Sequence, residues 1–149
     1  MRKQAEKIEI IARSLTGAGA LVIAGTALYH ASGMQGIVGA LETAQVDPFW
    51  VAGTKGAWLH FSWHLFVIAA VAGVAMWGRE KANRMAVLIC GLVAASDVIL
   101  LLAFVGFFSG VLLLGIGGAL LITGSLLLRP IPIPPVAPPT PATPPPTGS

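Results

Sequence analysis

The residues of this chain best suited to chemistry are three histidines and one aspartate. His60 and His64 stand four apart within the stretch 57–77, AWLHFSWHLFVIAAVAGVAMW, which contains no Asp, Glu, Lys or Arg. On a helix that spacing puts both imidazoles on one face, one turn apart. His30 and Asp97 complete the set, and Asp97 is the only charged side chain between Met85 and Leu128. Imidazole nitrogens suit Zn²⁺, Cu²⁺ and haem iron, and an i,i+4 pair can chelate one ion. A haem would instead take one histidine from each of two helices, His30 with His60 or His64. Asp97 would then hold a ligating imidazole through its other ring nitrogen.

The same four side chains fit two other roles. They could form a proton or redox relay, or a site beside a quinone, within a larger membrane assembly. They could also be purely structural, with an Asp97–His64 contact, joined by Ser62 or Ser96, fixing the register of two helices. A buried ionisable group costs several kcal/mol unless it is paired or neutral, so Asp97 and His64 need an explanation. His30, next to Tyr29, also suits an interfacial ring. Hydrolytic catalysis has no support, because the serines lack a His/Asp setting and the chain has no phosphate loop or zinc-protease motif. A non-enzymatic protein is expected.

These side chains must be positioned by elements that live in lipid. Of 149 residues, 56% are hydrophobic and 10% charged, with a mean hydropathy of +0.84. Soluble domains carry about 25% charged residues. The composition therefore predicts an all-α integral membrane protein. Four transmembrane helices are expected, over about 14–31, 57–77, 85–105 and 110–128. Each is long enough at about 1.5 Å per residue to cross a hydrocarbon core of about 30 Å, or nearly so. The run 85–128 is too long for one crossing and is expected to turn near 105–110, where Gly106, Ser109 and Gly110 cluster. The single cysteine, Cys90, excludes an internal disulfide and a multi-cysteine metal cluster. Sparse basic residues exclude a nucleic-acid surface.

Small residues supply the expected packing faces. Ala20, Ala24, Ala27 and Ala31 line one stripe of the first span, with Gly17 and Gly25 nearby. Gly106, Gly110, Gly117 and Gly124 do the same for the fourth, beginning with a GxxxG spacing. The segment 32–56 is expected to be a loop, with Met34, Ile37, Val38 and Leu41 forming a short helix on the membrane surface. Asp47-Pro48 has the form of an N-cap followed by proline at the first helical position, with Gly53 and Gly56 as bending points. The segment 130–149 holds ten of the eleven prolines and is expected to be a disordered, polyproline-type tail.

Orientation follows from charge. Arg2, Lys3, Lys7 and Arg13 precede the first span, Arg79, Lys81 and Arg84 follow the second, and Arg129 follows the fourth. In a four-span topology only Lys55 falls on the opposite side, so the positive-inside rule places both termini in the cytoplasm of a cell (inner) membrane. His30 then closes the first span at the outer face. His60 and His64 lie roughly 5 and 10 Å below that face, with Asp97 at roughly 13 Å. Glu42 and Asp47 lie in the loop above. A basic start before an apolar run also resembles a cleaved signal peptide ending near Ala31-Ser32-Gly33, but Glu6, Glu9 and the long lead argue against it. The expected partners are the bilayer and other membrane subunits or further copies of the chain. The leading expectation is a membrane protein with an outer-leaflet His/Asp site for haem or a transition metal. The alternative is a structural or assembly subunit of a respiratory or transport complex.

Overall fold

Residues 2–77 and 83–128 are described by the computed structural model of the chain; residue 1, the segment 78–82 and the proline-rich segment 129–149 lie outside the described residues. The elements are α1 (Arg2–Ser32), α2 (Met34–Thr43), α3 (Pro48–Trp77), α4 (Arg84–Phe104) and α5 (Ser109–Leu127), with no strand among the described residues. Four helices, counting α1 with α2 as one, are long and apolar enough to cross a membrane.

The segment expected as an outer loop is instead a helical hairpin. Gly33 keeps helical dihedrals, φ −73 and ψ −14. Its N–H donates to the His30 carbonyl and its own carbonyl accepts from Ile37 N–H, so the hydrogen-bonded path of α1 runs on into α2. Nothing lays α2 along a membrane surface. It has no buried residue and pairs with the first turns of α3, where Lys55 Nζ lies 3.7 Å from Glu42 Oε1. The chain reverses at 44–47. Gln45 adopts φ 54, and the N–H groups of Gln45 and Val46 return to the carbonyls of Glu42 and Leu41, closing α2 with a Schellman turn. Asp47 then opens α3 by accepting from Phe49 N–H at 2.8 Å through Oδ1, and Pro48 takes the first helical position. From there α3 runs 30 residues without a break, about 45 Å. Gly53 and Gly56 do not interrupt it; each costs about 1 kcal/mol of helix propensity, which the hydrogen bonding of a capped helix outweighs.

The helices alternate in direction around a ring, α1 against α3 and α5, and α4 against the same two. Two seams are closed by glycine. At Gly124 a Cβ would lie 2.5 Å from Thr16 Oγ1 and 3.0 Å from Ala12 O, and at Gly117 it would lie 2.6 Å from Ile23 Cγ1, so this face of α5 admits the backbone of α1. On the other side, a Cβ at Gly91 of α4 would lie 2.7 Å from Ile122 Cγ1, and one at Gly118 would lie 3.3 Å from Ala94 Cβ. Gly110 is buried too, but Gly106 is not part of this face. It sits in the α4–α5 turn with φ +92, and both it and Val105 donate N–H to the Leu101 carbonyl. Gly25 faces open space and closes nothing. Ile23, Leu65, Val87, Leu114 and Leu121 fill the centre. Thr16, Thr26 and Ser125 satisfy their hydroxyls on carbonyls of their own helices. At the end where the chain begins, Arg13 pairs with Glu9 at 2.9 Å and caps the Met76 carbonyl of α3. The bundle surface is apolar, with Val74, Trp77, Phe104 and Phe107 all largely exposed. Such a surface suits hydrocarbon rather than water.

Candidate functional site: two polar contacts near the hairpin end

The polar residues expected to meet in one cluster divide into two contacts that point in different directions. The cause lies in α3. Trp58 and Ser62 form one i,i+4 pair and His60 and His64 another, displaced by two residues. Two residues turn a helix by about 200°, so the two pairs look opposite ways. His30, on α1, meets the first pair. Its ring stacks on Trp58 with centroids 4.0 Å apart and planes 15° from parallel, and Trp58 Nε1 donates to the His30 carbonyl at 2.6 Å. His30 Nδ1 is 2.9 Å from Ser62 Oγ, while the Ser62 hydroxyl donates to the Trp58 carbonyl at 3.0 Å. A hydroxyl has one hydrogen, and assigning that of Ser62 to the Trp58 carbonyl makes Nδ1–H of His30 the donor to Ser62. The neutral ring then carries its proton on Nδ1, and Nε2 is left as an acceptor. No partner meets Nε2 among the described residues.

The second contact joins α3 to α4. His64 Nε2 and Asp97 Oδ2 are 3.1 Å apart, with side-chain exposures of 36% and 13%. Asp97 stands about 20 Å from Arg84 and about 10 Å from Phe104 along α4, at about 1.5 Å per residue. The depth counting that brought Asp97 level with His64 therefore corresponds to a direct hydrogen bond. It bridges the least intimately packed of the four seams, α3–α4. His64 Nδ1 and Asp97 Oδ1 have no partner among the described residues. No described side-chain nitrogen or oxygen is both fully buried and unpaired, so neither of these two atoms is fully buried.

The remaining candidates stand apart. His60 is exposed on the outside of α3. Glu42 is tied to Lys55 and Asp47 caps α3, so neither acid joins the histidines. Ser96 is exposed and bonds back to the Val93 carbonyl at 2.7 Å, and Ser62 serves His30 rather than Asp97. Among the described residues no group of three or more His, Cys, Asp or Glu side chains could hold a metal ion. The haem or transition-metal expectation thus finds no support. His30 uses Nδ1 on Ser62, His64 uses Nε2 on Asp97, and His60 is exposed and joins neither contact. Trp58 was not foreseen as a partner of His30, although its own i,i+4 relation to Ser62 was visible in the sequence. Phe61 links the two contacts, with its ring 5.0 Å from His30 and 6.2 Å from His64. No protein-family model, curated protein or solved structure matches the chain.

Proposed function

We propose that this chain is a non-enzymatic subunit of a larger membrane assembly, with both termini in the cytoplasm, and that its α3/α4 face docks a neighbouring transmembrane helix. The observation that carries this reading is the incomplete satisfaction of the His64–Asp97 pair. The His64 side chain is 36% exposed and Asp97 Oδ1 has no partner among the described residues, well inside a helix whose exposed large side chains are apolar, among them Ile99 and Leu100. Hydrocarbon offers such atoms no hydrogen bond, whereas a polar side chain on a neighbouring helix does. Ser96 and His60, both exposed, flank the pair. The proposed orientation rests on Lys3, Lys7 and Arg13 at the start of α1 and Arg84 at the start of α4, against Lys55 at the hairpin.

Crosslinking in native membranes tests the reading. In a Cys90→Ala background, Ser96→Cys and His60→Cys carrying a photoreactive maleimide should each yield a discrete protein adduct. Leu21→Cys, exposed on α1, should yield none. An adduct at twice the chain's mass identifies a second copy, and any other discrete mass a different subunit. Identical patterns at all three positions would sink the proposal.

A further inference from the structure

A cavity of about 260 Å³ lies at the hairpin end of the bundle, between α1, α3, α4 and α5, and it does not include His64 or Asp97. Its walls are the rings of Trp58, Phe61 and Phe108, its inner surface includes Leu65 and Leu114, and the His30 imidazole lines it. We infer that this cavity binds the ring of a phenol, with the phenolic O–H donating to Nε2 of His30.

Three observations carry the inference. The size suits a single substituted ring, since drug-sized ligands occupy about 300–1,000 Å³. The aromatic and leucine lining favours a flat apolar body. The hydroxyl-bearing Thr26, Tyr29 and Ser32 share the lining, but the imidazole is specific in sign: with Nδ1–H of His30 assigned to Ser62, Nε2 is an acceptor, and a ligand bonded there must bring a donor. His30 is also held still for the task, clamped by the Trp58 stack and by the Trp58 Nε1 bond to its carbonyl. Tyr29 helps close the rim, its hydroxyl 2.9 Å from Ser109 Oγ and so tying α1 to α5. A ring that accepts but cannot donate would leave Nε2 unpaired.

The test uses the full chain in nanodiscs with ¹⁵N-labelled histidine. p-Cresol should bind saturably and shift the His30 Nε2 resonance. 4-Methylanisole, the same ring without the donor, should bind about tenfold more weakly, the worth of one hydrogen bond. His30→Phe keeps a ring on Trp58 and should remove the tenfold preference. Should that variant fail to fold, the discrimination by the unaltered protein decides the matter alone. Equal affinity for the two compounds, or linear uptake without saturation, would overturn the inference. Displacement of p-cresol by 4-nonylphenol at lower concentration would mark a membrane-borne phenol as the natural source. Preference for p-cresol would mark a free one. Asp97→Asn should leave p-cresol binding unchanged, so this site and the docking face stand or fall separately.

Discussion

Replacing Asp97 by leucine removes the acceptor that His64 Nε2 uses at 3.1 Å and leaves a half-exposed imidazole against a hydrocarbon wall. Breaking a buried pair by losing one partner costs about 3–5 kcal/mol, and losing an ordinary hydrogen-bond partner about 1–3 kcal/mol. With His64 36% exposed, the lower range applies, and Asp97→Leu should cost about 2 kcal/mol. His64→Leu should cost about 3 kcal/mol, because the carboxylate it strands is the more buried partner, at 13% exposure. The double replacement removes the polar burden from both helices and lets leucines pack the α3–α4 seam. It should therefore cost less than the two single changes added together, with a coupling of about 1–2 kcal/mol. The assay is reversible unfolding of the purified protein in mixed micelles by SDS titration, followed by far-ultraviolet circular dichroism. Strict additivity, with a coupling below about 0.5 kcal/mol, would refute the claim that the two side chains act on each other.

Further expectations concern the frame that positions this pair. Gly124→Ala should destabilise by about 1–3 kcal/mol, since its Cβ would press on the Ala12 and Thr16 backbone, whereas Gly25→Ala, facing open space, should be neutral or stabilise by up to about 1 kcal/mol. The same SDS titration measures both. Asp47→Ala removes the 2.8 Å cap on Phe49 N–H and should cost about 1 kcal/mol, seen as faster hydrogen exchange over the first two turns of α3. Cys90 is buried and should resist maleimide until the bundle unfolds, which makes its labelling a melting assay. Cysteines placed at Gln45 and at Lys3 in a Cys90→Ala background should label from opposite sides of sealed spheroplasts. Labelling of both from the same side would contradict the up-and-down arrangement.

The four long apolar helices were legible from composition and run length, and the His64–Asp97 contact was legible because depth along a helix can be counted. What could not be counted was azimuth. Depth put His30, His60 and His64 in one layer, yet the two-residue offset between Trp58/Ser62 and His60/His64 turns them to opposite sides of α3. Which side faces α1 depends on the order of helices around the ring, and that order is fixed by the glycine seams of α5. The glycine spacing of the fourth span marks only one such seam. Gly91 and Gly118, which admit α4 to α5, lie at a second seam, outside the face that the spacing of Gly110, Gly117 and Gly124 marks. Gly106 was credited to that face by spacing, although its φ of +92 serves the turn. The helical hairpin was missed for a related reason. The spacing of Met34, Ile37, Val38 and Leu41 shows that a helix forms but not whether it lies flat or continues its predecessor, and the helical geometry of Gly33 decides for continuation.

In the proposed assembly the polar α3/α4 face is covered by another transmembrane helix in the cell. The most direct measurement is native gel electrophoresis of the epitope-tagged chain, extracted from its own membranes with a mild detergent, beside the His64→Leu/Asp97→Leu double variant. The unaltered chain should migrate as a discrete complex heavier than the monomer. The double variant, shown to be folded by circular dichroism, should migrate as the monomer. A monomeric band for the unaltered chain, or an undiminished complex for the folded double variant, would contradict the account.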